Sequence, residues 1–98
     1  MEYELRDYAV KAGEMENWLR EWKAKIRPLR EKFGFGTLGA WTIMEENRFV
    51  WILGYDGPTK SFAEADLAYY DSDERKSMAP NPAGHLDKTD SWKMRSIL

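Results

Sequence analysis

The sequence predicts an α+β fold in which one antiparallel sheet carries two helices on one face, and three stretches predict it. Tyr3 to Val10 alternates with a period of two, Glu14 to Phe33 carries apolar residues at steps of three and four, and Phe35 to Tyr55 holds two ring-rich segments around the polar Glu45-Glu46-Asn47. Tyr3, Leu5, Asp7 and Ala9 occupy one face of the first strand, and Glu4, Arg6, Tyr8 and Val10 the other. The helix that follows places Met15, Trp18, Leu19, Trp22, Ile26, Leu29 and Phe33 on its stripe, and most of its Lys and Arg opposite, as a solvated face. Gly13 precedes it, Pro28 removes a donor inside it and predicts a kink, and Gly34 suits its left-handed C-terminal position.

Phe35 to Met44 and Arg48 to Tyr55 read as a hairpin whose second strand, with the run Phe49-Val50-Trp51-Ile52-Leu53, is covered on both faces and central. Asp56-Gly57-Pro58 turns the chain, and Ser61-Phe62-Ala63-Glu64 is a capping box that opens a second helix with Phe62, Leu67 and Tyr70 inward. Asp71-Ser72-Asp73-Glu74 starts a further helical turn to Met78. Residues 79–90 read as a loop in which Asn81-Pro82 starts a short helix, and Ser91 to Leu98 as the closing strand. The order βαββαβ is that of a ferredoxin-like sandwich. Four strands of about six residues give a second sheet face of roughly 400 Å², large enough to need a cover, and a second copy packed face to face is the simplest one.

Composition sets outer bounds. The chain has 98 residues, matching one domain over 1–98, and its 43% hydrophobic content excludes a disordered chain. No apolar run approaches the roughly 20 residues that span a bilayer. The net charge of −2 gives no basic excess for nucleic acid. With no cysteine and one histidine, thiol chemistry and multi-His metal sites are excluded within one chain, so no metal or cofactor is expected. The start, MEYELRDY, carries no secretion signal, and a cytoplasmic location is the expectation. Gly34-Phe35-Gly36-Thr37-Leu38-Gly39 spells a dinucleotide-loop pattern but precedes a strand and is discounted.

Tyr3-Glu4-Leu5-Arg6-Asp7-Tyr8 leading to Gly13, then Trp18, Gly39-Ala40-Trp41, Asn47-Arg48-Phe49-Val50 and Tyr69-Tyr70-Asp71-Ser72-Asp73-Glu74-Arg75 together resemble the NIPSNAP family. The resemblance implies a dimeric α+β barrel, two ferredoxin-like chains packed sheet against sheet around a cavity. Relatives in that wider group include cofactor-free antibiotic-biosynthesis monooxygenases, haem-degrading oxygenases, chlorite dismutase and small cyclases, while the NIPSNAP branch has no agreed chemistry. Trp51 stands where similar sequences often place His, and Asp73 where they often place Pro; an indole cannot act as a base near pH 7.

Glu4, Arg6 and Tyr8 share a face whose polar chemistry suits a cavity wall better than the underside of two apolar helices, so they are placed in the cavity between the two sheets. There Arg6 would clamp a carboxylate or enolate oxygen, and Tyr8, Glu4 or the lone His85 would move a proton. His85 is alternatively a plain loop residue, or a haem ligand. Trp41 and Trp51 are candidate flat walls for an aromatic ligand, or ordinary packing; Trp18 and Trp22 belong to the core. The resulting expectation is a homodimer binding a small apolar or aromatic metabolite. The alternative is a cofactor-independent monooxygenase or cyclase acting on an aromatic or polyketide-like substrate.

Overall fold

Period-two alternation in Glu2–Val10 (β1) produces a strand whose two neighbours, Arg48–Tyr55 (β3) and Leu86–Met94 (β4), both run antiparallel to it. Phe35–Ile43 (β2) pairs with β3, giving the order β2-β3-β1-β4. This is the predicted ferredoxin-like topology, in a computed structural model that describes residues 1–98. The hairpin between β2 and β3 closes through a 3₁₀ turn, Met44–Glu46, and Asn47 at φ 51°, a left-handed conformation that asparagine tolerates better than most residues.

The helices all lie on one sheet face. Met15–Glu21 (α1), the wide turn Trp22–Ile26 and Arg27–Lys32 (α2) follow one another without a break. The kink expected at Pro28 takes the form of that wide turn: the Arg27 N–H reaches back five residues to the Trp22 carbonyl. Pro28 has no N–H for the Ala24 carbonyl and its ring crowds that oxygen, so a widened turn just before it relieves the clash. Met15, Trp18, Trp22, Ile26 and Leu29 all remain buried. Trp22 stands edge-on to Phe49 at 5.1 Å and to Trp51 at 5.3 Å, tying this helix to the central strand.

Phe62–Asp71 (α3) begins at the predicted capping box: the Glu64 N–H donates to Ser61 Oγ at 3.1 Å, and the Ser61 N–H to Glu64 Oε1 at 3.0 Å. Its inward residues are Phe62, Ala65 and Tyr69. Leu67, expected inside, is 70% exposed, because five residues past Phe62 put it about 140° around the helix. Tyr70 sits at the margin, partly exposed. The next turn, Asp73–Lys76 (α4), is capped by Ser72, whose Oγ accepts from the Arg75 N–H at 3.2 Å; Asp71 does not cap it. Asn81 caps the short 3₁₀ turn Pro82–His85 as predicted.

The closing strand starts earlier than expected, at Leu86 in place of Ser91. As an edge strand paired with β1 alone, β4 exposes most of its side chains and shows no apolar alternation; its position is fixed by backbone pairing from Tyr3 with Met94 to Val10 with Leu86. Pairing also sorts the two faces. Glu4, Arg6, Tyr8 and Val10 of β1 and Phe49, Trp51, Leu53 and Tyr55 of β3 face the helices. On the far face, uncovered within one chain, stand Leu5, Ile52, Leu38, Trp41 and Trp92. No helix is long and apolar enough to cross a membrane.

The capping box carries a measurable share of stability. Ser61→Ala is expected to cost about 1 kcal/mol, read as a lower urea midpoint with an unchanged slope; an unaltered midpoint would show that α3 does not depend on its cap.

Candidate functional site

The alternation of β1 brings Glu4, Arg6 and Tyr8 under the helices, where polar groups must find partners in protein. Arg6 finds four. Its Nε donates to Glu4 Oε1 at 2.7 Å, Nη1 to the hydroxyls of Tyr70 at 3.0 Å and Tyr8 at 3.4 Å, and Nη2 to Asp66 Oδ1 at 3.1 Å. From α2, Arg30 donates through Nη1 to the same Asp66 oxygen at 2.6 Å and lays its guanidinium over the Tyr69 ring at 3.8 Å. Lys93 of β4 reaches the other Glu4 oxygen at 3.3 Å while standing 3.0 Å above the Phe62 ring. Three cations thus share two carboxylates.

The expected placement of these residues needs correcting. From sequence, Glu4, Arg6 and Tyr8 are expected in a cavity on the sheet face opposite the helices, and Trp51 as a wall of it or as ordinary packing; all four lie on the helix side. Arg6 is the cross-strand partner of Trp51, so the two share a face, and Trp51 is only 1% exposed. The expectation failed because it treated the helix undersides as uniformly apolar; Asp66 and Tyr70 of α3 and Arg30 of α2 supply the polar partners. Trp41 is the one candidate on the open face, 54% exposed and folded over Gly39, where a Cβ would collide with its ring. His85 shares no hydrogen bond with the others. Its Nδ1 meets Glu14 Oε1 at 2.8 Å and its Nε2 meets Glu21 Oε2 at 3.0 Å, so both ring nitrogens are engaged in pinning the 3₁₀ turn to α1.

Burial and neighbours set the protonation states. Burial pushes the Tyr8 phenol above its ordinary pKa of 10.0, and the Arg6 charge only partly offsets this. Burial alone would lower the Arg6 pKa, but Tyr8, Tyr70 and Asp66 outweigh it and the guanidinium stays charged. Burial likewise raises Tyr69, against the pull of Arg30 and Arg75.

Two adjoining cavities open between these helices and the sheet, of about 240 and 230 Å³, sharing Tyr8, Tyr70 and Thr89. The second is polar, bounded by Arg6, Asp66 and Asp90. The first is walled by rings, among them Trp18, Trp51 and Tyr69, and its only charged lining residues are Arg30 and Arg75. Four buried donors of its lining residues have no hydrogen-bond partner: the indole nitrogens of Trp18 and Trp51 and the Nε atoms of Arg30 and Arg75. Unpartnered buried donors are costly, and these four belong to residues that line one cavity. Neither Asp66 nor Arg30 was singled out from sequence. Arg30 was assigned to the solvated helix face although it stands four residues after Ile26, on the apolar stripe, and that spacing was the available signal. No three His, Asp or Glu side chains are grouped to hold a metal ion.

Fold and site together define a ferredoxin-like α+β protein with a ring-walled cleft between sheet and helices. The NIPSNAP family profile matches residues 3–64, and the chain belongs to that family. Among solved structures it is similar to an uncharacterised NIPSNAP domain protein from Burkholderia xenovorans, at 18% identity and a TM-score of 0.83, covering 98% of this chain and 94% of that one. A NIPSNAP family protein from Agrobacterium tumefaciens superposes with a TM-score of 0.82 at 14% identity, covering 96% and 90% of the two chains. A putative antibiotic biosynthesis monooxygenase from Nitrosomonas europaea shares the fold at 11% identity, with a TM-score of 0.70 and full coverage of both chains, 100% each. No curated protein matches the chain.

The buried phenols predict a loss of stability in alkali. Their folded pKa values lie above the unfolded value, so their contribution is complete below pH 10.0 and is lost as pH rises through the folded values, where the native state holds protons that the unfolded chain releases. The urea midpoint should fall above that pH, and fall less in Tyr8→Phe; equal declines in both proteins would mean that Tyr8 is not held as a buried neutral phenol.

Proposed function

We propose that this NIPSNAP chain is a homodimer that binds a small, largely aromatic metabolite in the cleft between its sheet and its helices. The observation that carries the binding is the first cavity, with rings for an apolar body and unpartnered donors for polar oxygens. Trp51, Tyr8 and Arg6 keep the ligand-binding roles expected of them, on the other side of the sheet. Trp51 is a wall of the first cavity, Tyr8 stands between the two, and Arg6 borders the second. Glu4 acts by positioning Arg6. Trp41 passes to the dimer face.

The dimer is supported by the open sheet face, where Leu38 and Trp41 are each 54% exposed and Trp92 52%, three large apolar side chains on one surface that no helix covers. A two-fold copy of the same face covers it.

A second reading is favoured by the two phenols that share one Arg6 nitrogen. In a cofactor-independent monooxygenase or cyclase of antibiotic-biosynthesis type, Arg6 would stabilise an oxyanion on an aromatic or polyketide-like substrate, and Tyr8 would handle the proton. His85 has no part in it, since Glu14 and Glu21 occupy both its ring nitrogens.

Sedimentation should give a dimer at micromolar concentration, and Ile52→Glu a folded monomer; a monomeric parent protein would remove the shared-sheet assembly. With nitrogen-15 in the indoles, 1-naphthol should shift the Trp18 and Trp51 N–H signals and leave Trp41 and Trp92 in place. Shifts confined to Trp41 and Trp92 would move the ligand to the far face and overturn the cleft assignment. Oxygen uptake with the same phenol, lost in Tyr8→Phe, would favour the oxygenase reading; binding without uptake would favour the binding protein.

A further inference from the structure

The chemistry of the first cavity narrows the ligand further, resting on the cleft-binding reading above. Its lining holds two guanidiniums and no carboxylate. Arg30 spends Nη1 on Asp66, an acid that Arg6 also uses, and its flat face is occupied by the Tyr69 ring at 3.8 Å and flanked by Phe35 at 4.9 Å and Tyr70 at 5.0 Å. What remains to Arg30 is its Nε edge, buried and without a partner, in a residue only 1% exposed. Arg75 makes no ion pair at all. Its Nη1 donates to the Asn81 side-chain oxygen at 3.1 Å, its guanidinium stands 5.9 Å from the centre of the Tyr70 ring, and its Nε is likewise buried and unpartnered. The two cations therefore stand 5.0 and 5.9 Å from one tyrosine ring, each with an unpartnered Nε, and line a cavity whose other walls are indoles, phenols and the smaller Ile26, Ala83, Leu86 and Thr89.

A guanidinium edge matches two coplanar oxygens, and a buried surplus of positive charge is best met by an anion. We infer that the cleft is built for an aromatic carboxylate, its carboxyl oxygens received by Arg30 and Arg75 and its rings laid against Trp51 and Trp18. A neutral amide of the same shape offers one acceptor oxygen where the carboxylate offers two, and turns N–H donors toward the second guanidinium, which a buried site discriminates against. The cavity of about 240 Å³ accommodates one or two fused rings with one acid group.

The test compares 1-naphthoate with 1-naphthamide, which has the same rings and no charge, at neutral pH by indole nitrogen-15 NMR. The expected result is naphthoate binding at least about ten-fold more tightly, with shifts at Trp18 and Trp51, and that preference falling below about three-fold in Arg75→Gln. A thermal melt of the variant checks that it is folded, and Arg30→Lys, which keeps the charge but loses the planar fork, serves as the second variant and should lower the preference as well. Equal affinity of the two probes, with Trp18 and Trp51 still shifting, overturns the carboxylate inference and leaves cleft binding intact. Absence of any shift at those two indoles with either probe overturns both. A preference undiminished in both variants overturns the role assigned to these arginines.

Discussion

A guanidinium taken out of water has to be met by acceptors at its nitrogens, and Arg6 meets that demand by drawing together parts of the chain that are far apart in sequence. Glu4 and Tyr8 come from its own strand, Asp66 and Tyr70 from α3, and Arg30 of α2 arrives through Asp66. The hydrophobic stripe of α1 and α2 would hold that helix to the sheet without this cluster. The position of α3 is another matter: its apolar contact rests on a short face, Phe62, Ala65 and Tyr69, and the Asp66 and Tyr70 bonds to Arg6 set its rotation. Losing one partner from such a set costs more than the set contributes, because the groups left behind remain buried.

The same cluster borders the cleft. Side chains that must satisfy each other's hydrogen bonds cannot interdigitate as closely as the rings of Trp22 and Phe49, and two cavities sharing Tyr8 and Tyr70 lie where the polar and aromatic regions meet. Polar satisfaction is nearly complete around Arg6 and incomplete around Arg30 and Arg75, so the unused donor capacity lies at the ring-walled end. The two sheet faces thereby divide the work: one carries the helices and the cleft, and the other an apolar surface of Trp41, Leu38 and Trp92 that pairs with nothing in its own chain.

Most of the fold was legible in the sequence, and the errors share a cause. Strand β1, the long helix, the hairpin and the capping box of α3 all announce themselves within a few residues, through periodicity or a local hydrogen bond. Strand β4 does so only in its second half, because an edge strand held by backbone pairing leaves its exposed side chains free to be polar, and residues 86–90 read as loop until β1 is laid beside them. The site was legible in part. Glu4, Arg6 and Tyr8 do share one face, with Trp51 opposite Arg6, but the sheet face is not the expected one, since polar character alone does not tell a wall open to solvent from a buried surface whose partners lie about sixty residues away.

The sequence by itself determined the order of elements, the family and the burial of Trp18 and Trp22, because periodic burial and capping are local and act within a turn or a strand pair. Only the tertiary structure decided which face Arg6 and Trp51 occupy, that Asp66 serves two arginines, and that His85 is bound between Glu14 and Glu21. Those are contacts between distant segments, and their geometry exists only once the sheet register and the rotation of α3 are fixed.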